Sequence, residues 1–280
     1  MRASVPLFPY LPVPIVAVLL LLTATLPLPA SALDARQIIQ RSVEANEADW
    51  KAAPDLAYVE REVINKGGAR TVKTYKVMMI DGSPYNQLLA VDDQPLSPAH
   101  QARERARLAQ EIARRKHETR EERSSRISKY EKSRHQDHAL MQQMTKALDF
   151  RLRGKDTLNG YPVYVFDATP HAGYQPPNHE TRVLTGMKGT LWVNRTNYQW
   201  VKVEAEVFRP VSFGLFIAKV SPGTRFVLEQ APLSGPIWEP KHFKMEVHAS
   251  ILWWTHNSSE DDTFRDYQPN RAAVQQPDTR

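Results

Sequence analysis

Few side chains in this sequence have the types and spacing that chemistry requires. His135 and His138 stand three apart, so a helix would put both on one face, with Asp137 or Asp149 as the carboxylates that could join them on a metal. Their surroundings are charged, and the pair reads as surface histidines. His179-Glu180 lacks the second histidine of a zinc-binding helix. Gly186 to Gly189 lacks both the Lys-Ser/Thr of a phosphate loop and its strand-to-helix setting. Ser234-Gly-Pro is a turn with no G-x-S-x-G elbow around it. Asp156 and Asp167 are the remaining acid–base candidates, yet alternation alone does not bring them together, and turn or strand-end roles suit them better. There is no cysteine, which removes thiolate catalysis, disulfides and cysteine-ligated metals. The expectation is a protein that is not an enzyme and uses no cofactor and no metal. A hydrolase working through Asp156 or Asp167 is the weakest alternative.

Charge is the next signal, and it is local. Between Gln101 and Arg134 stand twelve Lys or Arg and six Asp or Glu, a surplus equal to the whole chain's net charge of +6. One charged element is therefore expected on an otherwise neutral body. Arg114, Arg115 and Lys116 at its middle are the candidates for contact with a partner protein or with anionic headgroups. The interspersed acids dilute the field, and nucleic acid is not an expected partner.

The first residues imply export. Leu11 to Pro29 is apolar apart from Thr23 and Thr25, and it ends in Ala30-Ser31-Ala32, the small-residue pattern of a signal peptidase site. Pro12, Pro14, Pro27 and Pro29 make a firm membrane-spanning helix the lesser reading. The expectation is a signal peptide over 1–32 cleaved after Ala32, and a periplasmic protein beyond it.

The elements that must position any site follow from periodicity. Leu33 to Trp50 reads as a helix with Asp34 as its cap, and extended runs cover Leu56 to Ile64, Thr71 to Ile80 and Tyr85 to Val91. Asn65 to Gly68 and Asp81 to Pro84 are the turns between them. From Ala99 to Asp149 helix breakers nearly vanish, giving one long helix or two with a polar joint. Its apolar positions, Leu108 and Ile112, then Leu140, Met144 and Leu148, lie toward the ends. Strands resume at Phe150 to Arg153, Tyr161 to Ala168, Gly189 to Val193 and Trp200 to Phe208. On the last of these Val201, Val203, Ala205 and Val207 are assigned to one face, and Trp200, Lys202, Glu204 and Glu206 to the other. Val211 to Val220, with Leu215 and Ile217 alternating, and Thr224 to Gln230 add further strands. His242 to Trp254 closes the series, with Phe243, Met245, Val247, Ala249, Ile251 and Trp253 on one side. The polar stretch 255–280 is read as a disordered tail. The fold class is α+β: a large curved antiparallel sheet forming an unclosed β-barrel, with an N-terminal helix and an inserted charged helical segment (99–149) over its opening. The single domain spans 33–254.

With that order in place the chain resembles a known group. "YVEREVI" (Tyr58 to Ile64), "DTLNGYPVYVFDATP" (Asp156 to Pro170) and "GTLWVNRTNYQWVKVE" (Gly189 to Glu204) are similar in texture to the LolA/LolB/RseB-like superfamily, the periplasmic outer-membrane lipoprotein-sorting proteins. The resemblance covers roughly 33–254 and implies an unclosed barrel with a hydrophobic cavity and non-covalent carriage of lipid or lipoprotein acyl chains. The charged helix and the loop around Gln175-Pro-Pro177 depart from the pattern. Apolar faces supply the candidate lining: Val77, Met79, Trp192, Val201, Val203, Phe243, Met245 and Val247. Methionines at Met78, Met79, Met187 and Met245 would adapt to variable chains. The alternative is an envelope structural or sensor protein whose charged helix docks a partner.

Overall fold

The computed structural model describes residues 34–178, 180–213, 218–233, 235–251 and 254–270. The leader 1–32, His179, Leu215, Ile217, Ser234, Trp253 and 271–280 lie outside the described residues. Residues from Asp34 onward group as one compact unit.

Helix α1 (Ala35–Ala52) begins where Asp34 Oδ1 accepts the Gln37 N–H at 2.7 Å, which satisfies one of the free amides of the first turn. Its inward face carries Ile38 and Ile39, and also Ser42, Asn46 and Asp49. A polar stripe buried on a helix requires polar partners opposite, and Trp200, Gln199 and Trp238 supply them. The charged segment is two helices, α2 (Pro98–Lys116) and α3 (Arg120–Ala147). Ser97 caps the first, with Pro98 at its opening turn. A capping box starts the second: Thr119 Oγ1 accepts the Glu122 N–H at 3.2 Å while Glu122 Oε2 accepts the Thr119 N–H at 2.9 Å.

The strands are β1 (Leu56–Lys66), β2 (Ala69–Ile80), β3 (Ser83–Val91), β4 (Gln94–Pro95), β5 (Leu148–Leu158), β6 (Tyr161–Pro170), β7 (Met187–Asn194), β8 (Trp200–Val207), β9 (Val211–Phe213), β10 (Ala218–Val220), β11 (Arg225–Pro232), β12 (Trp238–Ile251) and β13 (Trp254–Pro269). All pairings are antiparallel, and the path runs β4-β3-β2-β1-β13-β12-β11-β8-β7-β6-β5. Its two ends do not pair with each other, so the sheet is open.

β13 corrects the expected tail. Residues 255–269 are not disordered but form most of a 16-residue strand between β12 and β1, at the centre of the sheet. Without it the meander β1–β3 would have no bond to the rest of the path. The misreading has a physical cause: this strand has polar residues on both faces, so no apolar alternation announces it, while its backbone is satisfied by long neighbours on either side.

A second correction concerns β8. Trp192 pairs with Lys202 and Val193 with Trp200, which leaves Val201 as an extra, bulged residue. The bulge reverses the faces expected at this end. Trp200 turns to the helices and donates its indole N–H to Ser42 Oγ at 3.1 Å. Val201 packs with Val163, Val165 and Trp238 instead.

Candidate functional site

Residues directly opposite in antiparallel strands share a face, so the register traces rows across the sheet. One row runs Phe166, Leu191, Val203, Leu228, Phe243, Asp262, Glu62, Lys73, from β6 to β2. The parallel row runs Ala168, Gly189, Ala205, Phe226, Met245, Glu260, Ile64, Thr71. Ala168, Met187 and Val207 pack with Leu140 and Met144 of α3, which identifies this as the helix-facing side.

Cover along the first row is uneven. Phe166, Leu191 and Val203 are 0%, 2% and 4% exposed. Leu228 and Phe243, further along the same row, are only half-buried, as are Phe226, Met245 and Val247. The helices close over β6 to β8 and leave an apolar strip on β11 and β12 partly open. Beyond β12 the same face turns acidic: Glu60 and Glu62 on β1, Glu260 and Asp262 on β13.

The acids sit close together. Glu62 is directly opposite Asp262, which is 3% exposed. Burial, then the neighbouring Glu260, Glu60 and Glu62, pushes the Asp262 carboxyl up to about 8. Burial, then Glu62 and Glu260, pushes Glu60 up to about 7. A second acidic pair lies under α1. Asp49 Oδ1 accepts the Trp238 N–H at 2.9 Å and the Gln199 side-chain amide at 3.2 Å, yet burial still carries its carboxyl to about 6. Glu239 is pushed by burial, and then by Asp49, up to about 8. Aromatic rings line this end: Tyr58 lies 5.9 Å from Phe264 and 5.2 Å from Tyr267.

The eight expected lining residues are thus divided. Val77, Met79, Val203, Phe243, Met245 and Val247 share the helix-facing side by register. Val77 and Val203 are buried core, and the other four are half-buried. Trp192 lies on the opposite face with the Lys202 ammonium 5.7 Å from its ring, and Val201 joins it through the bulge. The acidic half was missed. Its signal was present as Glu60-x-Glu62 and Glu260-x-Asp262, but placing them side by side needed the β1–β13 pairing.

The charged helices hold a further correction. Arg115 is not available to a partner, being 4% exposed. Its guanidinium donates to the carbonyls of Ile80 at 2.6 Å and Ser83 at 2.8 Å, to Ser83 Oγ at 3.1 Å and to Pro84 O at 3.2 Å. Arg126 adds bonds to Ser83 Oγ at 2.7 Å and Asp81 O at 3.1 Å. These two arginines fasten the helical pair to the β2–β3 turn, where Gly82 adopts φ +86° and Ile127 fills the space a side chain would need. Arg114 and Lys116 are exposed, and Arg114 is ion-paired to Glu111 and Glu118.

His138 is likewise not a surface residue. It is 7% exposed and stacked on Trp50 with ring centroids 4.0 Å apart, its Nε2 2.8 Å from the Glu47 carboxylate, while His135 is exposed. Asp156 and Asp167 lie on the opposite face and do not meet: by register they are four residues apart along β6, roughly 13 Å. Asp167 is held between Arg151 and Arg153, with its carboxyl lowered by Arg153 first.

A trough of about 820 Å³ crosses that opposite face between rows that include Arg151, Asp167, Lys188, Glu206, Arg225 and Lys244. It is large enough for a small ligand, but its charges are matched. Lys188 lies 3.0 Å and Arg225 3.4 Å from Glu206, and Lys244 lies 2.8 Å from Glu246. A lattice of paired surface ions has little left to offer a ligand. The unbalanced charge and the under-covered apolar side chains are both on the helix-facing side.

No family model matches the chain, and no curated protein matches it in sequence. Among solved structures it is similar to a LolA superfamily protein from Nitrosomonas europaea, at 12% identity and a TM-score of 0.32 over 85% of this chain and 94% of that one. It is similar to an outer membrane lipoprotein-sorting protein domain from Vibrio parahaemolyticus, at 11% identity and TM-score 0.33 over 82% of this chain and 93% of that one. The MucA/MucB complex of Pseudomonas aeruginosa is matched at 10% identity and TM-score 0.21, over 82% of this chain and 99% of that one. These scores carry no functional weight, and the function proposed next rests on the chain's own residues.

Proposed function

We propose that this protein is a non-enzymatic periplasmic carrier that holds lipid or lipoprotein acyl chains against the helix-facing side of its sheet. One observation carries the reading. Leu228, Phe243, Met245 and Val247 stand on interior strands of a 13-stranded sheet and stay half-buried, while Phe166, Leu191 and Val203 on the same face are nearly sealed. Apolar surface left open at the middle of a sheet gains free energy when covered, about 0.8 kcal/mol for each methylene that leaves water. Among the described residues no helix is long and apolar enough to cross a membrane. The test is to delipidate the purified chain, expose it to phospholipid vesicles, re-isolate it and extract it for mass spectrometry. Lipid should be retained near one equivalent and lost in Met245→Arg. A chain that returns bare, or a variant that loads as well as the parent, sinks the proposal.

A second reading, docking of an envelope protein, is favoured by the α2–α3 pair, which is clamped to the body through Arg115 and Arg126 yet keeps Arg114 and Lys116 outward. Reversing Arg114 and Lys116 to Glu should abolish co-purification with envelope partners, and unchanged recovery removes that reading.

A further inference from the structure

We propose that the acidic end of the helix-facing strip receives an ammonium group, so that the occupant is an amphiphile with a cationic head and an apolar tail. The inference rests on the carrier reading above and adds the chemistry of the head. Glu62 and Asp262 are opposed across β1 and β13, with Glu60 and Glu260 two residues away on the same face. Like charges set opposite one another destabilise a sheet, so the arrangement needs a positive guest or bound protons. The facing cation from the neighbouring strand, Lys73 opposite Glu62, makes no ion pair with it among the described residues. Arg134 on α3 is engaged elsewhere, 4.4 Å from the Trp50 ring and donating to Trp50 O at 2.6 Å.

Among the described residues, buried acceptors without partners accompany the acids. Asp262 Oδ1, Glu239 Oε1 and Gln230 Oε1 have no hydrogen-bond partner although the three residues are 3%, 7% and 8% exposed. An ammonium brings three donors to oxygens that lack one. The carboxylates on each strand are spaced two residues apart, roughly 7 Å, a line rather than a cage, which suits an organic cation better than a metal ion. Rings complete the setting. Phe264 and Tyr75 flank Glu60 directly across the strands, and Tyr58 lies two residues from it, so the head would meet aromatic faces as well as charge. The strip that would hold the tail adjoins the acids: Phe243 pairs with Asp262 and Met245 with Glu260. Glu60 and Asp262 retain protons near neutral pH, so an arriving ammonium displaces them.

Titration calorimetry on the full chain with octylammonium, octanol and octanoate separates head from tail. Octylammonium should bind about tenfold tighter than octanol, and octanoate more weakly than either. At neutral pH its binding should release protons, read as a heat that varies with the buffer's ionisation enthalpy, whereas octanol binding releases none. The double variant Glu62→Gln with Asp262→Asn should keep octanol binding and lose the preference. Octanol binding with no preference for the amine, or a preference that survives in the double variant, overturns the ammonium site and leaves the carrier reading standing. If none of the probes binds, both fall. Proton release is read on the unaltered protein, so it decides the question even if the double variant does not fold.

Discussion

The covered half of the helix-facing surface, β6 to β8, and the open half, β11 to β13 with β1, are built from one antiparallel sheet. In the first, apolar side chains meet α1, α3 and one another and are sealed. In the second, the apolar side chains of β11 and β12 give way to acidic ones on β13 and β1, and helix cover is incomplete. The difference separates stability from function. A sealed core contributes to folding and has nothing left to give a ligand. A half-covered strip beside crowded acids that have no cationic partner among the described residues lowers stability and leaves free energy for a guest to recover.

Truncation is the sharpest way to break that contrast. Phe166→Ala in the sealed half should cost about 3–5 kcal/mol, whereas Phe243→Ala in the open half should cost about half that or less. Urea unfolding of both variants measures this, and equal losses would mean that the two halves are packed alike. The clamp comes next. Arg115→Ala leaves carbonyls of the β2–β3 turn without donors and should cost on the order of 3 kcal/mol, while neighbouring Lys116→Ala should stay within about 0.5 kcal/mol. Thermal melting of the pair checks it.

Acidity gives a smaller effect with a definite sign. A carboxyl whose pKa rises on folding, as for Asp49, Glu60, Glu239 and Asp262, binds its proton more tightly in the native state. Its contribution is fully present below the unfolded value of about 4 and is lost as pH climbs through the folded values. Stability should therefore fall from about pH 5 to about pH 8. Carboxyls held low by arginines, such as Glu111 at about 2, titrate below that window and do not offset the trend. Asp262→Asn should raise stability at about pH 8 by on the order of 1–2 kcal/mol and flatten the profile. Melting temperatures across the range decide it, and a profile that rises toward pH 8 contradicts the buried acidic face. The smallest effect is Gly82→Ala. The left-handed turn and the contact with Ile127 predict a loss of about 1 kcal/mol, with no change in lipid retention.

Much of the fold was legible from pattern. The cap at Asp34, the turns at Asn65 to Gly68 and Asp81 to Pro84, and the alternation of β12 each lie in a local stretch with its own signal. β5 and β7 proved longer than their apolar runs, because pairing extends a strand past the point where its side chains are buried. The candidate lining was legible in part. Alternation placed Phe243, Met245 and Val247 together correctly; Trp192 falls on the other face by the alternation of β7 itself, and Val201 joins it because a bulge inserts one residue without any mark in the sequence.

Composition and periodicity by themselves determined an α+β chain with one charged helical insertion, no thiol chemistry and amphipathic strands. Only the tertiary structure decided that 254–269 is a central strand, that Arg115 is an internal fastening, and that four acids gather beside the open strip. Such features depend on which strands lie side by side. A strand's own side chains encode the face it buries, whereas the company that face keeps is set by neighbours up to about two hundred residues away, as for Glu62 and Asp262.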